Sequence, residues 1–163
     1  MGKKITCAVV GTGYLGKFHA EKYAALENCE LVAVVDTDAD AAARVAEKVG
    51  SQPLTDYREL LGKVDAVSIV VPTSYHYQVA KDFLTAGSHV LVEKPITVTV
   101  EEADELIALA KAHDRKLMVG HLERFNAAIL ALIWCERSPC SSNRIVWRLL
   151  TPEPMMSVWC LIL

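Results

Sequence analysis

The sequence predicts a doubly wound α/β domain in which helices cover both faces of a parallel sheet. First, short apolar runs alternate with helix-forming stretches from residue 5 to about residue 133. Second, the runs are apolar along their whole length, which is typical of parallel strands because both faces of such a sheet are buried. Third, the 163 residues are 52% hydrophobic and 23% charged, the composition of a globular chain that is long enough to bury a core.

Each predicted strand is one of these apolar runs, and a predicted helix follows each strand. The strands are predicted at residues 5–10, 31–35, 66–71, 89–92 and 116–119. The helices are predicted from the turn after the first strand to about residue 26, and at residues 38–49, 56–61, 75–86, 99–112 and 123–133.

Local signals set several of these boundaries. Asp38 is a good N-cap for the second helix, and Thr99 with Glu102 three positions later forms a capping box for the helix that ends near residue 112. Gly87 is suited to the left-handed conformation that ends a helix. Pro53 is expected to break the chain before a short helix.

Charge and hydropathy argue against two classes of partner. The chain has 17 basic and 20 acidic residues and a net charge of −3, so no basic excess is available to neutralise a nucleic-acid backbone. The longest apolar runs, such as residues 158–163, are far shorter than the roughly 20 residues that cross a bilayer. Neither a nucleic acid nor a membrane is expected as a partner.

The cysteines and histidines show no metal-ligand spacing, so no metal is predicted. The cysteines form no C-x-x-C pair, and their odd number favours buried or incidental thiols in a reducing, cytoplasmic compartment. They are Cys7, Cys29, Cys135, Cys140 and Cys160. His19, His89 and His113 are expected at the surface or at strand ends.

A glycine-rich motif follows the first strand. Residues 11–16, Gly-Thr-Gly-Tyr-Leu-Gly, match G-x-G-x-x-G, open a helix and precede Asp36 by twenty positions. Gly11 permits a tight turn, Gly13 lets the backbone approach a pyrophosphate, and Gly16 lets the helix pack close to the strand. The amides at the helix N-terminus would then meet the phosphate charge. The alternative is a glycine turn without a ligand.

Asp36 predicts which dinucleotide the motif would hold. At the end of the second strand it can accept hydrogen bonds from both ribose hydroxyls, and its charge would repel a 2′-phosphate. NAD is therefore favoured over NADP.

A second chemical motif, Glu93-Lys94-Pro95, directly follows the fourth predicted strand. Ligands bind at the carboxyl ends of strands in open α/β sheets, so Lys94 is expected to face the cofactor cleft. A partly desolvated lysine there can exchange a proton with a substrate hydroxyl. Glu93 would fix the lysine head and Pro95 would stiffen the turn. On spacing alone, a surface salt bridge is the simpler interpretation.

Three ordered motifs, at residues 11–16, 71–80 and 93–95, resemble the Gfo/Idh/MocA oxidoreductases, whose N-terminal domain has a Rossmann fold. The resemblance covers residues 4–132. It implies that Lys94 is catalytic and lies beside the nicotinamide and the reacting carbinol. It also implies a cofactor pocket lined by the segment around Pro72. The cofactor-binding residues expected in total are Gly11, Gly13, Tyr14, Leu15, Gly16, Asp36, Pro72, Thr73, His76, Glu93 and Lys94.

Residues 120–126 indicate a substrate class by resemblance. They are similar to members that oxidise nucleotide-activated sugars, notably the UDP-N-acetylglucosamine 3-dehydrogenases. Arg124 and Asn126, together with Lys94, would then face the substrate. As isolated residues, Arg124 and Asn126 are more typical of a helix surface.

The composition changes near residue 134. All eight glycines lie before this point, whereas all three tryptophans and three of the five cysteines lie at or after it. The family would continue here into a second α/β domain, and a neighbouring reading frame permits family-like peptides opposite residues 142–148 and the last residues. We therefore expect a Rossmann domain at residues 1–133 and a frameshifted tail at residues 134–163. A natural short protein with its own hydrophobic tail is the alternative.

Three functions remain open on the sequence. The first is an NAD-dependent dehydrogenase that oxidises a sugar or nucleotide-sugar carbinol. The second is a binding module that holds NAD without chemistry, and the third is an inactive remnant. Apolar surface left uncovered would favour self-association.

Overall fold

The computed structural model of the chain describes residues 4–121 and 126–127. Six strands, all parallel, form one sheet in the order β3-β2-β1-β4-β5-β6. They are β1 Ile5–Val10, β2 Cys29–Val35, β3 Gln52–Leu54, β4 Ala66–Ile69, β5 His89–Val92 and β6 Leu117–Val119. This is the doubly wound Rossmann order. The strands β1 to β3 are added toward one edge of the sheet and β4 to β6 toward the other, so the order reverses between β1 and β4. The predicted fold class is confirmed.

Four helices and one short 3-10 helix connect the strands. They are α1 Tyr14–Ala25, α2 Ala39–Val49, the 3-10 helix Tyr57–Leu60, α3 Thr73–Thr85 and α4 Val100–Ala112. Helix α1 packs against α2, and α3 against α4. Because parallel crossovers are right-handed, the two halves of the sheet place these pairs on opposite faces.

The local signals that predicted the helix ends are confirmed. The Asp38 carboxylate accepts hydrogen bonds from the backbone of the first turn of α2. Thr99 and Glu102 form the reciprocal capping box at the start of α4. Gly87 follows α3 with a φ of 88°, the left-handed conformation that favours glycine.

The strands form the centre of the core. All four residues of β4 are buried, as are the last four of β1, and α3 covers them with Val79, Phe83 and Leu84. Both faces of the central strands are therefore covered, which explains why these strands are mostly apolar; Ser68 is the buried polar residue of β4.

One additional strand and several element bounds differ from the sequence prediction. Residues 52–54, where Pro53 was expected only to break the chain, form the edge strand β3 beside β2. Proline is tolerated on an edge strand because part of its backbone has no neighbouring strand. Helix α3 begins at Thr73 rather than at residue 75. Most of the predicted helix 123–133, and the tail from residue 134, lie outside the described residues.

The described part of the chain contains no helix that is long and apolar enough to cross a membrane. The same residues contain no group of three or more potential metal ligands. Cys7 and Cys29 are buried thiols, and burial raises the pKa of the Cys7 thiol far above its ordinary value.

Candidate cofactor and active site

The residues expected at the site converge on one edge of the sheet. The glycine-rich loop follows β1, Asp36 follows β2, Pro72 lies shortly after β4, and Lys94 follows β5. Because the strands are parallel, their carboxyl ends all lie at this edge, on both sides of the reversal between β1 and β4. Ligands bind at this position in open α/β sheets.

Close approaches of the backbone require glycine at two positions of the loop, Gly11 and Gly16. Gly11 has a φ of 97°, and a Cβ atom there would lie 2.3 Å from the Val70 carbonyl oxygen. A Cβ atom on Gly16 would lie 1.8 Å from the Gly11 carbonyl oxygen, so glycine lets α1 start directly against the turn. Gly13 is different because no atom lies within 4 Å of its Cβ position.

The start of α1 is open on its outer side. Gly13 is the N-cap and supplies no side-chain oxygen to the first amides, so these amides are available to an anion. Tyr14 and Leu15, both expected to bind the cofactor, are exposed. The Tyr14 ring packs edge-to-face on Phe18, at 5.5 Å between ring centroids, and the Lys17 ammonium lies 5.0 Å from each centroid.

Asp36 is tied directly to the glycine-rich loop. Its Oδ2 accepts hydrogen bonds from the backbone nitrogen and from the hydroxyl of Thr12, each at 2.8 Å. Its Oδ1 accepts one from the Asp38 nitrogen at 3.1 Å. Thr12 is buried, so this pair of bonds fixes the carboxylate beside the first glycines. Sequence reasoning predicted Asp36 but missed Thr12.

The same contacts keep Asp36 ionised. Partial burial by itself raises the pKa of the carboxyl group, but the hydrogen bonds from the Thr12 and Asp38 backbone and from the Thr12 hydroxyl outweigh it. The pKa of Asp36 is therefore below its ordinary value, and a negative charge is held at the end of β2.

The buried side chain of His76 contacts the segment after β4 from the core side. Pro72 is exposed and is the N-cap of α3, and Thr73 is half-buried. His76 is 1% exposed, with Nδ1 2.8 Å from the Pro95 carbonyl oxygen and Nε2 2.8 Å from the Val71 carbonyl oxygen. Each ring nitrogen thus lies within hydrogen-bond distance of a backbone carbonyl, and a neutral ring donates to one of the two. His76 therefore contacts two loops of the site, and its contact with the cofactor stays a prediction.

Lys94 lies at the carboxyl end of β5, as predicted, and its side chain is exposed, not partly desolvated. Among the described residues, no hydrogen bond or ion pair of its ammonium group is found. The peptide bond between Lys94 and Pro95 is cis. The ammonium group is therefore free to reach a ligand at this edge.

Glu93 does not fix the lysine head, so that expectation was wrong. Its side chain is buried, and Oε2 accepts a hydrogen bond from the Lys94 backbone nitrogen at 3.1 Å. Its Oε1 lies 3.2 Å from Nε2 of His19. A Cβ atom on Gly120 would lie 2.8 Å from Oε1, so the glycine after β6 makes room for this carboxylate. Glu93 supports the lysine turn from underneath.

His19 is buried, which corrects the expectation of a surface histidine. It is 4% exposed, and its Nδ1 lies 2.6 Å from the hydroxyl of Ser68. Burial lowers the pKa of His19 below its ordinary value, against the opposing effect of Glu93. The signal was present in the sequence, because His19 shares one helix face with Gly16, Ala20 and Tyr23, which are all buried.

For Arg124 and Asn126, the expected contact with a substrate stays a prediction. Arg124 lies outside the described residues. Asn126 is described and exposed, and it belongs to a second compact unit that starts at His121.

Comparison with known proteins decides the family. A family profile described as "Oxidoreductase family, NAD-binding Rossmann fold" (GFO_IDH_MocA) matches residues 5–121. The chain belongs to the Gfo/Idh/MocA family. The resemblance carried by the three sequence motifs is thereby confirmed.

Members of the Gfo/Idh/MocA family with assigned names include sugar dehydrogenases. The chain is 46% identical over 121 residues to UDP-N-acetylglucosamine 3-dehydrogenase of Acidithiobacillus ferrooxidans, covering 74% of this chain and 38% of that protein. It therefore spans well under half the length of this relative, and the same holds for the Bacillus subtilis and Escherichia coli oxidoreductases YrbE and YdgJ.

Solved structures of family members have the same architecture. UDP-N-acetylglucosamine 3-dehydrogenase from Acidithiobacillus ferrooxidans superposes with a TM-score of 0.76 at 42% identity, over 84% of this chain and 45% of that one. Scyllo-inositol dehydrogenase from Lactobacillus casei, solved with NAD(H) and scyllo-inositol, gives 0.74 at 27% identity, over 82% of this chain and 42% of that one.

Proposed function

We propose that this chain binds NAD across the carboxyl edge of its sheet and, as part of a dehydrogenase, serves the oxidation of a sugar carbinol. The observation that carries the proposal is the convergence of three groups there. These are the amides at the start of α1, the Asp36 carboxylate held by Thr12, and the Lys94 ammonium. The amides suit a pyrophosphate, the Asp36 carboxylate suits a ribose diol, and the Lys94 ammonium suits a reacting hydroxyl.

The choice of NAD over NADP rests on the charge of Asp36. Two hydrogen bonds from Thr12 hold the Asp36 side chain at the position expected for the adenosine ribose, and the lowered pKa of Asp36 keeps that side chain ionised. A carboxylate accepts hydrogen bonds from ribose hydroxyls, whereas a 2′-phosphate would meet charge repulsion.

The chain's own residues supply orientation and a proton path. Bound NAD would supply the acceptor for the hydride that leaves the carbon carrying the hydroxyl. Lys94 Nζ, in its neutral form, accepts the hydroxyl proton as the C–H bond breaks and the carbonyl forms, and it returns that proton in reduction. Thr12 and Asp36 fix the adenosine end, and Glu93 supports the turn that presents Lys94.

The substrate class we favour is a nucleotide sugar oxidised at C3. Support comes from the 46% identity to a relative named for that activity on UDP-N-acetylglucosamine. Residues 120–126 also resemble that group in sequence.

The test is calorimetric titration of the chain with NAD and NADP, followed by NADH absorbance with UDP-N-acetylglucosamine, free glucose and inositol. NAD binding that is tighter than NADP binding and is lost in Asp36→Ala supports the cofactor assignment. Asp104→Ala is the matched control because Asp104 is an exposed aspartate on α4. Unchanged NAD affinity in Asp36→Ala contradicts the ribose assignment.

A second candidate is a module that binds NAD without turnover. The exposed side chain of Lys94 favours it, because hydride transfer needs a site from which water is excluded. Binding without NADH formation for any sugar identifies the module, and absence of binding identifies the remnant. The frameshift hypothesis is tested separately, by sequencing DNA across codons 125–163 and beyond.

A further inference from the structure

A buried line of polar side chains runs beneath the Lys94 turn. The hydroxyl of Tyr23 contacts that of Ser68, Ser68 contacts Nδ1 of His19 at 2.6 Å, and Nε2 of His19 contacts Glu93 at 3.2 Å. All four residues are less than about a tenth exposed. Polar groups this deep are retained only with partners, so the line is a built feature of the core.

The hydrogen bonds of this line have one consistent assignment of donors and acceptors. A neutral His19 ring, the form that burial favours by lowering its pKa, carries one N–H group. A carboxylate oxygen only accepts, so the N–H group sits on Nε2 and donates to Glu93. Nδ1 is then the acceptor for the Ser68 hydroxyl, and Ser68 in turn can accept from Tyr23.

The carboxylate at the end of this line has one orientation. Oε1 faces His19, Oε2 accepts from the Lys94 backbone nitrogen, and the missing Cβ of Gly120 leaves space of the right size beside both oxygens. Rotation of the carboxylate would break one of these two bonds. The position of the Lys94 backbone is thus set from below.

We propose that His19 is a positioning residue for Lys94, acting through Glu93 to hold the backbone of the lysine turn in the place from which its ammonium group reaches the substrate. The catalytic part of this statement rests on the proposed function. The structural part, that His19 fixes the Lys94 amide, stands on the hydrogen bonds alone.

Two variants of His19 separate its two bonds. In His19→Gln the amide nitrogen falls near the position of Nε2 and still donates to Glu93. In His19→Asn the shorter side chain reaches only the Ser68 side, where its amide oxygen accepts from the Ser68 hydroxyl, and Glu93 is left without its donor. The pair differs by one methylene group, and both side chains are neutral amides. Ser88→Ala removes a different hydrogen bond of a buried serine, the one to the Val64 carbonyl oxygen. It controls for a general loss of stability in the core.

The first readout is the backbone amide of Lys94 in the full chain labelled with ¹⁵N-lysine, assigned by its loss in Lys94→Arg. We expect roughly tenfold faster solvent exchange and a shifted resonance in His19→Asn, because a bond to a carboxylate is among the stronger ones. His19→Gln and Ser88→Ala should resemble the parent. A folded His19→Asn with an unchanged Lys94 amide overturns the proposal.

A second measurement, on the parent chain, keeps the proposal testable if His19→Asn fails to fold. The imidazole ¹⁵N shifts of His19 should show a protonated Nε2 and a bare Nδ1. The opposite tautomer overturns the proposal because Nε2 then has no proton to donate to Glu93.

Turnover gives the functional readout in any form of the protein that makes NADH. His19→Asn should lower kcat by about a hundredfold, the size of effect that small misplacement of a catalytic group produces. The KM for NAD should change little, and His19→Gln should recover most of the rate. If Lys94→Ala leaves turnover intact, the assigned role of Lys94 fails, while the amide comparison still decides what His19 holds.

Discussion

Gly16 and Gly11 lie so close together that a methyl group on Gly16 would be 1.8 Å from the Gly11 carbonyl oxygen. The contact is with backbone, which cannot swing aside as a flexible side chain can. The first turn of α1 is therefore pressed against the loop after β1, and the amides at its N-terminus are held at the carboxyl edge of the sheet.

Gly16→Ala should destabilise the chain strongly. We expect the free energy of unfolding to fall by about 1–3 kcal/mol or more, as for other overpacked sites, and urea unfolding followed by circular dichroism measures it. Gly13→Ala is the matched control, because its Cβ meets no atom within 4 Å and its φ of −62° suits alanine. Equal stability of the two variants would contradict the close packing described.

Gly13→Ala should instead weaken NAD binding. Its exposed Cβ position lies where the loop would face the pyrophosphate, so a methyl group keeps the phosphates from the backbone amides. Titration with NAD should show a clear loss of affinity in a chain of normal stability. Unchanged affinity would mean that the pyrophosphate does not approach Gly13.

Thr12→Val should loosen Asp36 without changing the shape of residue 12. The hydroxyl bond to Oδ2 is lost and the backbone bond remains. We expect roughly fivefold weaker NAD binding, since one hydrogen bond contributes about 1 kcal/mol, and a smaller preference over NADP. Thr12→Ser keeps the hydroxyl and should restore both, whereas equal binding by the valine and serine variants would refute the role of this hydroxyl.

Acidification should destabilise the chain partly through His19. Burial lowers its folded pKa below the unfolded value of about 6.5, so the unfolded chain binds more protons between these two values. The free energy of unfolding should thus fall as the pH drops below about 6.5. His19→Gln cannot titrate and should show a smaller decline between about pH 7 and pH 5. His89, whose pKa burial also lowers, contributes equally to both chains.

Lys94→Ala should separate binding from chemistry. The Lys94 side chain makes no ion pair among the described residues, so its removal should leave the fold and the NAD affinity intact. In any form of the protein that turns over, NADH formation should be abolished. Lys111→Ala, an exposed lysine on α4, is the control, and retained turnover would remove Lys94 from the reaction.

Strands, caps and the glycine-rich loop were predictable because their causes are local. An apolar run of four to six residues, or Thr99 followed by Glu102, has its effect within one turn or one strand. Edge strand β3 was missed because only β2, a distant segment, makes three residues around a proline into a strand.

The supporting part of the site was missed because its partners are far apart in the chain. His19 meets Ser68 and Glu93 across 49 and 74 positions. No spacing rule connects such residues, and the burial of His19 is decided by the helix face that it shares with Ala20 and Tyr23. The motifs name the residues expected to touch the cofactor, whereas the contacts of Thr12, Ser68 and His19 depend on the folded chain.

His76 has a consequence for motion at this edge. One imidazole ring links the Val71 carbonyl, after β4, to the Pro95 carbonyl, after β5. These loops are separate in sequence, but the one ring contacts both. A ligand that displaces one loop must therefore either move the other as well or break a contact of the His76 ring.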